Sequence, residues 1–524
     1  MPLFPFLVIL RIVLISAATL TFLYLLKLKL DLGMVRFSDM DEFAYISWTK
    51  QFLSGKHPYT DFYFFTPPTY LLVLAPAVAY FTGIGVLVAS RITEWGIFIV
   101  LAFALFFLTR QIWKTWLAVF VLVFLAALPI PTDKFLEVRP DTLMMLLVVV
   151  GIVFMIRGMG ARADGPSRTK SQVMMFFASG FFYGLSLCIM QKVLVLMAFL
   201  GCVFLFWLAS IVGRWSWRNL FFTTSRTILP LVLGGLAPIL FCIGWMRMYA
   251  DFSTLLYLNF TLPFETNIPL GRLYGINPTF TFWASDVYYG TYDPFPLSWV
   301  VNETMWIGAI LVSAVVFPMM LLRTRKNISD WGWMIISGAF LTLVLFFVYG
   351  SAPRHMQYLI PAGTFIPVIL AGLLHAFWVR AKTAPAQVVF FLCCGLILIV
   401  ALRVGETMFV PKKMRDFSNE ANAITYLKEN LHPKDYVFDL VGVAFEYPHP
   451  YFACCVPFGQ GSAYATRMVF PPLREALERT KTNYIYQGLA GRIETLTPYD
   501  RQWVEEHFEL IGDGQILKRK GMGK

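Results

Sequence analysis

PPTYLLVLAPAVAYFT, residues Pro67–Thr82, decides how many times this chain crosses a membrane. The stretch is apolar but shorter than the ~20 residues that ~30 Å of hydrocarbon requires, and it contains three prolines. It can cross, or it can lie flat at the interface. Basic residues separate the two readings, because Lys and Arg in short loops collect on the cytoplasmic side. The clusters Arg110/Lys114, Arg157 to Lys170, Arg214 to Arg226, Arg323 to Lys326 and Arg380/Lys382 fall on one side only if Pro67–Thr82 does not cross.

With that stretch interfacial, eleven spans are expected, at 3–26, 89–109, 115–131, 141–157, 172–190, 193–213, 227–249, 304–322, 331–350, 357–379 and 387–405. The N-terminus is then cytoplasmic. Loops 27–88, 132–140, 250–303 and 351–356 and the C-terminal tail lie outside. Lys27, Lys29 and Arg36 run against this orientation, diluted by Asp31, Asp39, Asp41 and Glu42.

Composition agrees with a polytopic α-helical membrane protein. Of 524 residues, 58% are hydrophobic and 14% charged, against roughly 25% charged in soluble domains, which excludes a soluble domain as the main body. The net charge of +12 sits in the short loops, where orientation accounts for it, so no nucleic-acid partner is expected. The first apolar stretch, Leu3–Leu26, is too long for a signal-peptide core and lacks a basic leader and a small-residue cleavage site, so it is expected to stay as an anchor. Among the seven cysteines, Cys188, Cys202, Cys242, Cys393 and Cys394 lie in hydrophobic segments, and the adjacent Cys454 and Cys455 are not expected to pair.

From about Gly405 the character changes to charged, Pro- and Gly-broken sequence. The expected division is a membrane domain over 1–405 and a small external α/β domain over 406–524, with helices at Asn419–Asn430, Pro472–Lys481 and Arg501–Glu506 and strands at Tyr436–Val441 and Tyr484–Tyr486.

Residues 38–68, SDMDEFAYISWTKQFLSGKHPYTDFYFFTPP, concentrate acids beside the membrane. Capping explains part of this: Ser38 and Asp39 suit a helix N-cap, and Asp41 and Glu42 suit its first turn. Chemistry is the other reading. Moving a group from a membrane-embedded donor to a hydroxyl requires a base, and Asp41 can serve. Asp141, in EVRPDTLMM, faces the same compartment by the topology above, although Pro140 and an acid at a helix start also suit capping. A departing phosphate needs cations. Lys192 stands between two apolar stretches at the expected external boundary, where it either snorkels or meets a phosphate, and Arg354 and His355 occupy a short external turn with the same two readings. Loop 250–303 is rich in aromatic residues, as in an interfacial belt or a sugar-stacking surface, and Asp286 and Asp293 there have no interpretable spacing.

Taken in order, Asp41-Glu42 with Phe43-Ala44-Tyr45, then Gly55, His57-Pro58-Tyr59-Thr60-Asp61 and Pro67-Pro68, resembles the first external loop of the GT-C superfamily of integral-membrane glycosyltransferases. The similarity is to its bacterial protein O-mannosyltransferases and lipid A aminoarabinose transferases. Asp141 after Arg139-Pro140 resembles the family's second acidic position, and Gln191-Lys192 after Gly184-Leu185 its Gly-Leu…Lys motif. The resemblance implies juxtamembrane helices in the first external loop and a polyprenyl-phosphate sugar donor. It implies an inverting transfer to a glycolipid, polysaccharide or protein hydroxyl on the external face, in a bacterial inner membrane. Asp41, Glu42 and Asp141 are then the expected catalytic acids. Lys192, Arg354 and His355 are expected at the donor phosphate, and Arg139, Tyr45 and Tyr59 at substrate. One departure stands out: Thr66 occupies the position where the aminoarabinose transferases have a lysine. A divalent cation fits Asp41, Glu42 and Asp141 as hard oxygen ligands, although their spacing does not demand one. A transporter of lipid-linked sugars and a ligase moving a whole preassembled glycan are the alternatives; the paired repeats and broken helices of transporters are not evident.

Overall fold

The computed structural model describes residues 3–37, 40–160, 166–212, 224–265, 297–323, 327–350, 356–413, 416–455, 471–488, 492–511 and 514–521. Among them, ten helices are long and apolar enough to cross a membrane, and a bent pair, Trp116–Ala127 with Pro129–Leu136, makes an eleventh when taken as one span. The chain is an integral multi-pass membrane protein.

Helix α1 (Leu3–Gly33) is 31 residues long, or ~46 Å at 1.5 Å per residue, so it projects beyond the hydrocarbon. The interfacial reading of Pro67–Thr82 follows from what comes next. Helix α2 (Met40–Leu53) and helix α3 (Thr69–Tyr80) lead into the long α4 (Ile84–Trp113). The 12 residues of α3 cover only ~18 Å. More decisively, Arg91 near the start of α4 donates through Nη1 to the carbonyls of Gly33 and Arg36, each at 2.9 Å. The first turns of α4 therefore lie beside the last turn of α1, and everything between stays at one end of the bundle.

The span expected at 115–131 is not straight. Helix α5 (Val119–Ala127) ends in Leu-Pro-Ile-Pro, and the chain turns by 88° before Leu136. Proline removes an amide donor and clashes with the preceding turn, which breaks the helix. Partners across the bundle satisfy the freed backbone: Ile130 N–H donates to Asn302 Oδ1 at 3.1 Å, and Trp306 Nε1 donates to the Ile130 carbonyl at 3.0 Å.

The remaining spans are α6 (Pro140–Gly160), α7 (Pro166–Ile189), α8 (Leu194–Val212), α9 (Ile228–Met246), α10 (Leu297–Leu322), α11 (Ile328–Leu345), α12 (Ile366–Arg380) and α13 (Ala384–Lys412). The last runs to Lys412 rather than 405. Helices α7 and α9 meet backbone to backbone through small residues. A Cβ added at Gly180 would come within 1.9 Å of the Leu231 carbonyl oxygen, one at Gly184 within 2.2 Å of that of Gly235, and one at Gly234 within 2.0 Å of that of Phe177.

The tail holds α14 (Ser418–Asn430), α15 (Leu473–Arg479) and α16 (Pro498–His507) around a four-stranded sheet. Strands β1 (Val437–Asp439), β2 (Tyr484–Tyr486), β3 (Phe508–Ile511) and β4 (Ile516–Arg519) are ordered β1-β2-β4-β3, with β1 and β2 parallel and the other pairs antiparallel. The β3–β4 hairpin was not expected, because two four-residue strands are too short to show a period. A second correction concerns Cys454 and Cys455, which are joined as a disulfide. Cys455 adopts a positive φ of 64°, and this turn of the backbone lets the two side chains meet.

Two apolar cores matter here. One fills the bundle. The other joins α2 and α3 to the tail, with Phe43, Ile46, Tyr70 and Leu74 packed beside Val437, Val443, Phe445 and Tyr486.

Candidate active site

The acids at the start of α2 are side by side in sequence and differently placed in space. Glu42 is fully buried, and its carboxylate accepts from Arg91 twice, Nε to Oε1 at 2.8 Å and Nη2 to Oε2 at 2.6 Å, and from the Val138 amide at 3.2 Å. Because Arg91 also caps α1, this fork ties α1, α2, α4 and the segment before α6 together. Asp41 points the other way, toward Arg139, with which it forms an ion pair.

Arg139 is the hub. Its Nη1 donates to Glu137 Oε2 at 3.1 Å, and its Nε lies 4.0 Å from Asp141 Oδ2. Glu137, fully buried, also pairs with Arg36 and with Lys134 Nζ at 2.7 Å. Buried ionic groups are tolerated only when paired this closely. Asp141, in the first turn of α6, accepts from Lys192 Nζ at 3.5 Å, and that ammonium stands 4.0 Å from the centroid of the Tyr358 ring. Lys192 sits on the short turn Gln191–Val193 between α7 and α8. The turn is held to the first loop by Gln191 Nε2 donating to the Phe65 carbonyl at 3.1 Å and by Thr69 Oγ1 donating to the Cys188 carbonyl.

Asp41, Arg139, Asp141 and Lys192 are thus gathered at one end of the bundle, while Glu42 faces Arg91. Tyr45 borders the cluster, its ring edge-on to Trp48 and Tyr70 with centroids 5.3 Å and 5.2 Å away. Burial raises the pKa of its phenol well above the ordinary range, and the charges of Asp141 and Asp41 add to this. Its hydroxyl is hydrogen-bonded to Thr66. Tyr59, at a positive φ of 74°, is turned instead toward the Thr66 carbonyl, to which it donates at 2.8 Å. Arg354, His355, Asp286, Asp293, Ser38 and Asp39 lie outside the described residues. Among the described residues, no group of three or more His, Cys, Asp or Glu side chains is arranged to hold a metal ion.

Sequence reasoning missed Arg36, Arg91, Lys134 and Glu137. A signal existed for Arg91 and for Glu94, which accepts from the Tyr70 hydroxyl: both lie in an apolar stretch, where a charge needs a partner. Glu137 stands two residues before Arg139 and four before Asp141 in EVRPD.

By sequence, no family model and no curated relative matches the chain. By structure the agreement covers nearly all of it. The structure of ArnT from Cupriavidus metallidurans bound to undecaprenyl phosphate gives a TM-score of 0.59 at 14% identity, over 97% of this chain and 97% of that one. The same protein in the apo state gives 0.57 at 14% identity, over 97% and 96%. The archaeal oligosaccharyltransferase AglB from Archaeoglobus fulgidus, in complex with an inhibitory peptide and a dolichol-phosphate, gives 0.54 at 12% identity, over 96% of this chain and 74% of that one. ArnT is a lipid A aminoarabinose transferase, and both proteins are GT-C membrane glycosyltransferases. With its apolar spans, its juxtamembrane helices and a small C-terminal sheet, the chain shares the fold of these structures.

Proposed function

We propose that this protein transfers a sugar from a polyprenyl-phosphate donor to a hydroxyl of a glycolipid, polysaccharide or protein acceptor, with inversion, and that Asp41 is the base. One observation carries the reading. Among the described residues of the ionic cluster, the most exposed acid is Asp41, its side chain 21% exposed, and the most exposed cation is Lys192, at 27%, against 0% for Glu137, 2% for Asp141 and 6% for Arg139. A reacting acid and a phosphate-binding cation must be reachable, whereas supporting charges need not be.

In this reading the acceptor hydroxyl gives its proton to Asp41, and its oxygen forms the new bond to the anomeric carbon. The bond from that carbon to the phosphate oxygen breaks on the opposite side, and the electron pair leaves with the lipid phosphate. Lys192 stabilises the charge that develops there. Arg139 fixes the rotamer of Asp41, Asp141 holds Lys192, and Glu42 with Arg91 anchors α2 as a positioning pair. Each carboxylate of the cluster faces a guanidinium or ammonium group, so we propose cationic side chains rather than a divalent ion at the phosphate, and expect dialysis against EDTA to leave the rate unchanged.

The site end is proposed to be external, in a bacterial inner membrane. The residues that count against that orientation have partners within the protein: Lys27 pairs with Asp31 at 2.7 Å, Lys29 is buried with its ammonium 4.9 Å from the Phe98 and Phe409 ring centroids, and Arg36 pairs with Glu137.

Purified protein in lipid, given radiolabelled polyprenyl-phosphate sugars and a membrane glycolipid fraction, tests the proposal. Transfer by the wild type, and about 1,000-fold slower transfer by Asp41→Asn, is the expected result. An Asp41→Asn protein as active as the wild type overturns the mechanism, and translocation of the donor without transfer favours a transporter.

A further inference from the structure

We propose that the tail turn over residues 440–445 sets the position of α2, with Asp439 and Gly442 as positioning residues that hold the Asp41 carboxylate against Arg139. The inference rests on the reading of Asp41 as the reacting acid. Its basis is the geometry of the contact. At the end of β1 the Asp439 carboxylate is buried and accepts three backbone N–H groups of the following turn, from Val441 and Gly442 at 2.7 Å each and from Ala444. This fixes the turn before it touches anything else.

The turn then meets α2 at its first residues. Gly442 has a φ of +107°, and a Cβ added there would stand 2.5 Å from the carbonyl oxygen of Phe43, 2.6 Å from its carbonyl carbon and 2.9 Å from the Ala44 nitrogen. No rotamer change relieves contacts with backbone, so the distance between turn and helix is set by the missing side chain. Phe445 stacks on Phe43, with ring centroids 6.3 Å apart and planes at 20°. Phe43 follows Glu42, whose fork to Arg91 fixes one side of the first turn; the Asp439-built turn fixes the other. Farther along, Cys454 Sγ lies 3.6 Å from Ser47 Oγ, and the Tyr63 amide donates to the Phe452 carbonyl at 2.9 Å. The tail therefore grips the helix that bears Asp41 along two turns.

The test uses the full-length protein in lipid. A displacement of Asp41 of the order of 1 Å can lower a rate by about 100-fold, so Gly442→Ala is expected to reduce kcat by about 10- to 100-fold with donor KM within about twofold of wild type. In an Asp41→Asn background the same change is expected to alter the residual rate less than about twofold, because a positioning residue has nothing left to position. Effects that multiply across the two backgrounds overturn the inference. Should Gly442→Ala fail to fold, Asp439→Asn replaces it, keeping the shape but losing one acceptor oxygen. A second readout is independent of activity: amide hydrogen exchange over residues 43–53 should accelerate in either variant while residues 84–95 stay unchanged. Unchanged exchange over 43–53 overturns the positioning role. Accelerated exchange in a protein whose wild type transfers no sugar overturns the functional reading alone.

Discussion

Two regions of the molecule bury carboxylates, and they neutralise them in opposite ways. At the bundle end Asp41, Glu42, Glu137 and Asp141 meet side-chain cations, from Arg36, Arg91, Lys134, Arg139 and Lys192. In the tail Asp439 meets backbone amides, and the neighbouring His449 lies with Nε2 3.2 Å from the Asp439 nitrogen and Nδ1 2.7 Å from the Tyr451 carbonyl oxygen. Side-chain cations reach from separate helices and leave a rim where water can enter. Backbone donors come from consecutive residues and close over the charge. The first arrangement suits a group that must exchange a proton with a substrate, and the second suits a fixed turn.

The largest expected effect separates the two regions outright. Asp41→Asn should lower transfer by about 1,000-fold, equivalent to about 4 kcal/mol. Its loss of melting temperature should be smaller than that of Asp439→Asn, which should loosen the tail, because Arg139 keeps its pair with Glu137. Equal melting losses in both would erase the distinction. Next in size is Arg91→Met, which leaves Glu42 buried without its fork and should cost about 3 kcal/mol of stability by thermal denaturation.

The tail pair allows a sharper test with pH. Burial pushes the Asp439 carboxyl up to about 6 from an ordinary 3.8, against the pull of its three amide donors. The folded tail therefore holds that proton more tightly than the unfolded chain, and this contribution, present below 3.8, is lost as pH rises through 6. Burial also holds His449 down to about 4 from 6.5, so its contribution is present above 6.5 and is lost as pH falls through 4. Each is worth on the order of 3 kcal/mol, and the two oppose each other between pH 4 and 6. Hydrogen-exchange protection of residues 437–439 and 484–486 should be nearly flat over that range in the wild type. It should fall on acidification in Asp439→Asn and rise in His449→Gln. The smallest effect belongs to Lys428, whose 2.9 Å pair with Glu446 is 41% exposed on the lysine side; Lys428→Ala should change stability by less than about 1 kcal/mol.

Local pattern carried much of this into view and stopped at identifiable points. The first-turn acids of α2, the non-crossing Pro67–Thr82 and the joint placement of Asp141 and Lys192 follow from hydropathy, charge bias and capping, which act over a few residues. Which of two adjacent acids faces water does not, because Asp41 and Glu42 have nearly the same chemistry and are sorted by Arg139 and Arg91, which are 98 and 49 residues away. The roles of Glu137 and Lys134 were hidden for the same reason. The bend after α5 was not anticipated, although Pro129 and Pro131 are helix breakers, and its acceptance inside the bundle depends on Asn302 and Trp306.

The seam between α7 and α9 carries a consequence for how a lipid reaches this protein. Helices whose backbones touch at Gly180, Gly184 and Gly234 leave no room for a single methyl group. A prenyl tail is a string of methyl-bearing units, and to slip in there it would have to unzip the whole row of glycines. The pair therefore acts as a sealed hull plank, and the lipid-linked donor proposed above would need its gangway on another flank of the bundle.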